Sequence, residues 1–222
     1  MALIELQGIE KSYRDGENRL NHVLKGVNLE LEDGEFVAVK GASGSGKTTL
    51  LRILGAVELP DKGTYRMEDM EVRDLDCLHI VRNEDIGFVF QDHRLMPQYT
   101  VLQNILLPTL ATATESRPEE VEYARRLMEL THISALADQY PATLSGGEAS
   151  RAAICRALIR KPLLLLADEP TGQLDRANAL NIVSLFSKIN RSLGTTIVMV
   201  THSDETASFA HRILTLKGGI LR

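Results

Sequence analysis

The chain has 222 residues, of which 25 are basic and 30 acidic, giving a formal net charge of −5. This length can bury a large core in one or two domains. Because acids and bases are interspersed without a basic stripe, and no apolar run approaches the roughly 20 residues of a membrane-spanning helix, composition argues against nucleic-acid binding and against membrane spans.

The first part of the chain is predicted to contain a sheet, then a strand, a loop and a helix. Apolar and polar residues alternate through 2–36 around a turn at 14–16, which favours a mostly antiparallel sheet. Residues 35–40 include the apolar run of a buried strand, and 48–54 have the pattern of a helix. The segment between them has the pattern G-x-x-x-x-G-K-T.

That segment predicts a phosphate-binding loop. Its glycines allow backbone angles that turn successive N–H groups toward one anion, and the following helix adds its positive N-terminal end. Lys47 can reach the β and γ phosphates of a nucleotide, and the Thr48 hydroxyl can ligate Mg²⁺. The predicted ATP-binding residues here are Gly41, Ala42, Ser43, Gly44, Ser45, Gly46, Lys47, Thr48 and Thr49.

The middle of the chain changes character. Strands are expected at about 63–70 and 86–90, the second ending just before Gln91. From about 92 to 160, four prolines punctuate helical stretches, including 119–130 and 147–160. This pattern predicts an α/β core interrupted by a helical insertion.

The next strand is predicted at 163–167, and two carboxylates follow it. Ligands of open α/β sheets lie at the carboxyl ends of strands, so Asp168 and Glu169 are expected to face the phosphate loop. Neighbouring residues of a strand point in opposite directions, which predicts different roles. Asp168 suits Mg²⁺ binding, and Glu169 suits a general base for the attacking water. Strand–helix alternation then continues with a helix at 176–193 and strands at 196–201 and 212–216.

Cys77 and Cys155 fit no metal-ligand spacing, so both are expected to be reduced thiols without an assigned function. Residues 1–5 lack a basic region followed by a long apolar stretch, so no signal peptide is predicted.

Taken together, these motifs resemble the nucleotide-binding subunit of ATP-binding-cassette (ABC) transporters over nearly the whole chain. The segments 87–91, 104–108 and 168–172 are most similar to the lipoprotein-releasing and macrolide-exporter branch (LolD/MacB type), with the cell-division FtsE type a close relative. The features that carry the resemblance, in chain order, are Tyr13, the loop 41–48, Gln91, the signature Leu144–Glu148, Asp168 and Glu169, Asp175, and His202.

The resemblance implies an α/β fold, the P-loop NTPase cassette, with a RecA-like core, an N-terminal antiparallel β subdomain and a helical subdomain at about 92–160, all in one ATPase domain, 1–222. It implies that Tyr13 stacks on adenine, that Gln91 senses Mg²⁺ and the attacking water, and that His202 contacts the γ-phosphate. Asp175 would form the loop between the carboxylates and the next helix. The signature residues implied to contact ATP held by the opposite subunit are Ser145, Gly146, Gly147 and Glu148.

Several positions depart from the common pattern of that family. Glu148 stands where Gln is usual, and Ala149 and Ser150 replace longer polar residues. Gly172 and Gln173 stand where Ser and Ala are commoner, and Ser203 follows His202 where Asp is usual. None of these changes removes a catalytic group.

The implied function is hydrolysis of ATP, with ATP and Mg²⁺ bound, by a homodimer that drives an integral membrane permease from the cytoplasmic face of the membrane. The segment 91–103 is rich in apolar residues, among them Leu95, Met96 and Tyr99, and is expected to bind a helix of that permease. The alternative is that these side chains pack the insertion onto the core. An ATP-switched regulator of the cell-division type is the alternative. A nucleic-acid-directed ATPase is disfavoured, because the chain has no basic patch and no coiled-coil or zinc insertion.

Overall fold

The computed structural model describes residues 2–14, 16–72, 75–111 and 113–222, with backbone alone at 75–77 and 80. The strands are β1 Ala2–Arg14, β2 Leu20–Glu32, β3 Phe36–Lys40, β4 Lys62–Met67, β5 Met70–Glu71, β6 Ile86–Val89, β7 Leu164–Asp168, β8 Thr196–Thr201, β9 Arg212–Lys217 and β10 Ile220–Leu221. The α-helices are α1 Lys47–Leu54, α2 Leu75–Glu84, α3 Val101–Leu106, α4 Pro118–Leu130, α5 Gly146–Leu158, α6 Arg176–Leu193 and α7 Asp204–Ala207.

Two sheets organise these elements. The antiparallel sheet has the order β2-β1-β4-β5, and the six-stranded sheet has the order β10-β9-β3-β8-β7-β6, in which only β10 is antiparallel to its neighbour. The predicted α/β fold with an N-terminal antiparallel sheet is therefore confirmed.

The six-stranded sheet separates two hydrophobic cores. On β7, Leu164 and Leu166 face the core shared with α1 and the antiparallel sheet, whereas Leu165 and Ala167 face the core shared with α3, α4, α5 and α6. This alternation follows from the two-residue period of a strand whose two faces are both covered. Asp168 continues the first series, so its side chain is directed toward the α1 side of the sheet.

The helices of the middle region all lie in the chain between β6 and β7. Pro118 occupies the first turn of α4, where its missing N–H costs no hydrogen bond. Glu119 and Glu120 lie in the same turn, and their negative charges stabilise the positive N-terminal end of the helix dipole. Helix α5 ends before Pro162, as expected from the sequence.

Some predicted boundaries were wrong. The single strand expected at 63–70 is divided, because Glu68 adopts a positive φ of 50° and turns the chain from β4 into β5. Helix α2 was not predicted from the sequence. The turn expected at 14–16 includes residue 15, and Cys77 falls among the backbone-only positions, so both lie outside what the structure describes.

Tyr65 fixes the far end of α1. Its ring is 1% exposed and its hydroxyl donates a 2.8 Å hydrogen bond to the Leu54 carbonyl, one of the last carbonyls of the helix. A buried hydroxyl needs such a partner, and a helix C-terminus needs donors. The antiparallel sheet therefore holds the helix that starts at the candidate phosphate loop.

Candidate nucleotide-binding site

Parallel strand register brings the candidate residues to one edge of the six-stranded sheet. Lys40 of β3 pairs with Thr201 of β8, and Asp168 of β7 pairs with Val200 of β8. The loop after β3, the acidic end of β7 and the residues after β8 are therefore adjacent. This is the edge at which α/β sheets bind ligands.

The loop 41–46 is shaped by its glycines. Gly44 and Gly46 have φ values of 75° and 102°, in the region that side-chain-bearing residues rarely adopt. A Cβ at Gly41 would lie 2.5 Å from both the Leu216 carbonyl oxygen and the Ser45 Oγ. The Ser45 hydroxyl is buried and has no hydrogen-bond partner among the described residues, which fits a loop built to meet a ligand oxygen.

Lys47 places its ammonium group inside this loop. The side chain is only 7% exposed, and Nζ donates hydrogen bonds to the carbonyls of Gly41 at 2.8 Å and Ala42 at 3.0 Å. The same nitrogen lies 3.7 Å from Glu169 Oε1. The loop therefore concentrates one positive charge at its centre.

Asp168 and Thr48 form a pair of oxygen groups beside that charge. The Thr48 hydroxyl is within hydrogen-bonding reach of the Asp168 carboxylate. Burial raises the pKa of Asp168, and Glu169 raises it further, while Thr48 and Lys47 act in the opposite direction. A carboxylate and a hydroxyl at one point offer the ligands that Mg²⁺ prefers.

Glu169 takes an unusual backbone conformation. Its φ is 44°, although it is not glycine, and its N–H donates to the Val200 carbonyl at 3.1 Å. The carboxylate lies between two basic groups, with Oε1 3.7 Å from Lys47 Nζ and Oε2 3.5 Å from His202 Nδ1. Strained backbone of this kind clusters at functional sites. The side chains of Glu169 and Asp168 thus point in different directions because of a left-handed turn after β7, and not because of strand alternation alone.

Gln91 lies two residues beyond the end of β6 and approaches the segment after Glu169. A Cβ at Gly172 would be 2.9 Å from Gln91 Nε2, so glycine at this position lets the amide lie against the backbone. The Gly172 N–H in turn donates to the Glu169 carbonyl at 3.0 Å. Gln91 is exposed, so its amide can also face a ligand.

Tyr13 lies on β1, where it pairs with Asn21 of β2. Its hydroxyl donates a hydrogen bond to Glu58 Oε2 and is within reach of Thr49 at the start of α1. The predicted adenine-stacking residue is thereby connected to the helix that follows the phosphate loop.

The signature residues begin α5 with a capping box. The Ser145 side chain accepts from the Glu148 N–H, and Glu148 Oε2 accepts from the Ser145 N–H at 2.8 Å and from its hydroxyl at 2.7 Å. These hydrogen bonds lower the pKa of Glu148. The acid at this position thus has a local explanation, since either Glu or Gln completes this motif.

A second helix start, that of α6, lies against the signature. A Cβ at Gly146 would be 3.1 Å from Leu174 Cδ2, and one at Gly147 would be 3.5 Å from Asn178 Oδ1. Asp175 caps α6 by accepting from the Asn178 N–H at 3.0 Å. Among the described residues, no hydrogen bond or ion pair joins the signature to the loop 41–48. The structure therefore presents two separate groups of candidate residues.

His202 is 67% exposed at the edge, and the residues after it explain one departure in the sequence. Ser203 caps the short helix α7 by accepting from the Thr206 N–H at 3.3 Å. Asp204 forms an ion pair with Lys40, the last residue of β3. Asp204, one position after the place where the family usually has Asp, thus attaches the His202 segment to the strand that precedes the phosphate loop.

A contact between the segment after Gln91 and α5 was missed by sequence reasoning. His93 and Arg94 both have positive φ, and the Arg156 guanidinium donates to their carbonyls at 2.6 and 2.5 Å. His93 Nε2 also lies 2.7 Å from the Ser150 Oγ, and burial lowers the pKa of this imidazole. No local sequence pattern indicates these long-range bonds.

Asn104 is a second residue that sequence reasoning missed. Its side chain is fully buried, its Oδ1 accepts from the Met96 N–H at 2.7 Å, and its Nδ2 donates to the carbonyls of Met96, Tyr99 and Thr100. This amide fixes the loop so that Met96 and Tyr99 are 42% and 37% exposed. For Leu95 the expectation of a permease contact is corrected, because its side chain packs against the core.

No helix in the described ranges is both long and apolar enough to cross a membrane. Within those ranges, no group of three or more His, Cys, Asp or Glu side chains is placed to hold a metal ion. Cys155 is buried, its thiol lies 3.1 Å from the Thr131 hydroxyl, and burial raises its pKa to about 12.

A phosphate loop, a buried lysine and two carboxylates at one sheet edge define a P-loop nucleoside triphosphatase. A family model described as "ABC transporter" matches residues 24–172, two thirds of the sequence. The chain belongs to the ABC transporter family, and it is an ATP-binding and ATP-hydrolysing cassette of that family.

Curated relatives agree with this assignment. LolD of Myxococcus xanthus, a lipoprotein-releasing system ATP-binding protein, is 42% identical over 99% of this chain and 98% of its own length. MacB of Rhodopirellula baltica, a macrolide export ATP-binding/permease protein, is 45% identical over 99% of this chain and 32% of its own length. The chain thus spans about a third of the MacB relatives that it matches.

Solved structures show the same fold. The dimeric structure of MJ0796, a bacterial ABC transporter cassette, has a TM-score of 0.88 and 38% identity, covering 99% of this chain and 96% of that chain. A dimeric post-hydrolysis state of MJ0796 bound to ADP and Pi also has a TM-score of 0.88, with 37% identity and the same coverage.

Proposed function

We propose that two copies of the chain enclose two ATP molecules head to tail. Each ATP would lie between the loop 41–49 of one copy and the signature 145–148 of the other, with Asp175 beside the shared interface. The observation that carries this proposal is the separation of the two groups within one chain. The dimers of the similar cassette MJ0796 support it.

In this arrangement Lys47 binds the β and γ phosphates, and Tyr13 stacks on adenine. Glu169 orients and deprotonates the attacking water, with its carboxylate held between Lys47 and His202, and His202 contacts the γ-phosphate. Gln91 monitors the same water from the segment that leads to α3. The reaction is in-line displacement, in which positioning and electrostatics supply most of the rate.

Thr48, Asp168 and Gln91 are the residues proposed to bind Mg²⁺. When bound, Mg²⁺ neutralises charge on the phosphates. Few protein ligands are required, because Mg²⁺ shares its coordination with phosphate oxygens and water. The partly buried Asp168 and the adjacent Thr48 hydroxyl fit that limited role.

We further propose that 1–222 act as one ATPase domain whose helical subdomain, about 92–160, contacts an integral membrane permease. The complex would export a substrate or release lipoproteins, as the names of the LolD and MacB relatives suggest, with the chain on the cytoplasmic face of the membrane. No nucleic-acid partner is proposed. The exposed Met96 and Tyr99, held by Asn104, are the proposed contact points.

Trapping the dimer tests the ATP arrangement. Glu169→Gln removes the base and keeps the pocket shape, so the variant should bind ATP without hydrolysing it and elute as a dimer in gel filtration. Adding Ser145→Arg should return it to a monomer. A dimer that persists with Ser145→Arg would contradict the role of the signature in the opposite subunit.

Charged substitutions test the membrane contact. Met96→Glu and Tyr99→Glu should weaken co-purification with membrane subunits and leave the ATPase activity of the isolated chain largely intact. Leu95→Glu serves as the packing control, because Leu95 contacts the core, and it should lower stability. If Met96→Glu and Tyr99→Glu also reduce folding or isolated ATPase activity, these residues pack the helical region and do not bind a permease.

A further inference from the structure

Glu58 connects Tyr13 to the helix that begins at the phosphate loop. The Tyr13 hydroxyl donates to Glu58 Oε2, while Glu58 Oε1 accepts from the Arg52 guanidinium at 3.1 Å. Arg52 lies in the last turn of α1. A bond of this type, in which the acceptor is charged, is stronger than one between neutral groups. One carboxylate therefore links the aromatic residue to α1.

The carboxylate is itself held in place by the backbone. The N–H groups of Val57 and Glu58 both point to the Arg52 carbonyl, at 2.9 and 3.3 Å. Ala56, just before them, has a φ of 50°, which turns the chain back toward α1. The Glu58 side chain is 24% exposed, so water screens its bonds only in part. Glu58 is therefore preorganised before any ligand arrives.

The hydroxyl bond restrains Tyr13 in a defined way. A tyrosine hydroxyl lies on the axis of its ring, so a bond to it fixes the direction of that axis and the position of the outer end of the ring. The Lys11 ammonium lies 5.8 Å from the ring centroid, near one face. The bond to Glu58 thus keeps the ring of Tyr13 close to α1.

We propose that Glu58 is a positioning residue for the base of the nucleotide. It holds Tyr13 at a fixed distance from the phosphate loop, so that base and triphosphate can be bound at once. The ligand class is a purine nucleoside triphosphate, and Glu58 contributes to binding of the base but not of the phosphates. This inference rests on the proposed stacking of adenine on Tyr13.

The test compares binding of ATP with binding of inorganic tripolyphosphate by the full chain, measured by calorimetry. Glu58→Ala should weaken ATP binding about three- to tenfold, the effect of losing one charge-assisted hydrogen bond, and leave tripolyphosphate binding unchanged. Glu58→Gln should retain most of the affinity, because its carbonyl oxygen still accepts from Tyr13. Tyr13→Phe should match Glu58→Ala, and the double variant should add nothing. In the ATPase assay, KM should rise in Glu58→Ala while kcat stays near that of the wild type.

Other outcomes separate the possible failures. If Tyr13→Ala leaves ATP affinity unchanged, the adenine role of Tyr13 is wrong, and this inference fails with it. If Tyr13→Ala weakens ATP binding but Glu58→Ala does not, only the role of Glu58 is overturned. Equal weakening of ATP and tripolyphosphate in Glu58→Ala would show that Glu58 acts through the loop, which also overturns the inference. Should Glu58→Ala fail to fold, Glu58→Gln against Tyr13→Phe decides the question, because equal affinities in those two variants would contradict it.

Discussion

The N-termini of α1 and α5 are both proposed to bind phosphate, and they differ in how their backbone N–H groups are capped. Helix α1 begins after Gly46, which provides no side-chain cap, and its first turn contains no acid. Helix α5 begins after Ser145, and the carboxylate of Glu148 already accepts from that start. An anion approaching α1 meets free N–H groups and Lys47, whereas one approaching α5 must compete with Glu148. On these grounds an anion should bind more tightly at the start of α1 than at the start of α5.

Removing the cation at α1 should have the largest effect. Lys47→Ala takes away the charge at the centre of the loop, so ATP hydrolysis should fall more than about 100-fold. Steady-state turnover with Mg²⁺ measures this. Lys62→Ala, at a 74% exposed lysine paired with Glu10, is the matched control and should behave as the wild type. Unchanged turnover in Lys47→Ala would remove the phosphate-loop assignment.

Adding a methyl group to the phosphate loop and to the first turn of α5 should sharpen the contrast. In Gly41→Ala the new Cβ would meet the Leu216 carbonyl at 2.5 Å, a clash with backbone, so the free energy of unfolding should fall by about 2 kcal/mol. In Gly147→Ala the nearest atom, Asn178 Oδ1, lies at 3.5 Å, an ordinary contact, and stability should stay close to that of the wild type. Thermal denaturation compares the two. Equal melting temperatures would show that the loop relaxes around the added group.

The partly buried carboxylate of Asp168, on the α1 side of the sheet, should lower the stability of the fold at neutral pH. The folded pKa of Asp168 is raised, mainly by burial, so its ionised form is less favourable in the folded state than in the unfolded chain. Asp168→Asn should therefore raise the melting temperature while abolishing hydrolysis. Since the carboxylate is partly exposed, we expect only about 1–2 °C. The difference in melting temperature between Asp168→Asn and the wild type should be present above the raised pKa of the folded state. It should vanish as the pH falls below the pKa of Asp168 in the unfolded chain. A lower melting temperature at pH 7 would contradict this assignment.

The acid on the α5 side should behave in the opposite way, with the smallest effect. Hydrogen bonds from Ser145 lower the folded pKa of Glu148, so its ionised form stabilises the folded chain at neutral pH, and this is lost as the pH falls through the lowered pKa. Glu148→Gln keeps the capping box, so its melting temperature should fall by about 1 °C or less at pH 7. The difference should disappear in acid. A difference that grows as the pH falls would have the wrong sign for a depressed pKa.

Sequence reasoning located the candidate residues where they lie in a short segment. The loop 41–48 and the acids Asp168 and Glu169 at the end of β7 each depend on residues within a few positions of one another, and the structure brings them to one sheet edge, while their roles in hydrolysis stay predictions. The presence of an N-terminal antiparallel sheet beside an α/β core was also predicted correctly, because alternating patterns indicate the first and continuous apolar runs the second.

It failed where partners are far apart in the chain. Arg156 reaches the carbonyls of two residues more than 60 positions earlier, and Glu58 is joined to Tyr13 across 45 positions. In the sequence Asn104 looks like any other polar residue of a helix. Only the folded structure brings four backbone groups around its side chain. The left-handed turn at Glu169 likewise depends on the Val200 carbonyl of a neighbouring strand. Each is a tertiary contact that local spacing does not encode.

The burial of Cys155 has a practical consequence for labelling the start of α5 in solution. A thiol that is enclosed in the core and has a pKa of about 12 stays protonated and out of reach of maleimides, so it need not be replaced before labelling. Replacing Cys77 and introducing one cysteine near the start of α5 would then give a chain with a single reactive position. Spin or fluorescent labels placed there would report whether the signature helices of two copies approach each other when ATP is added, as the proposed dimer requires.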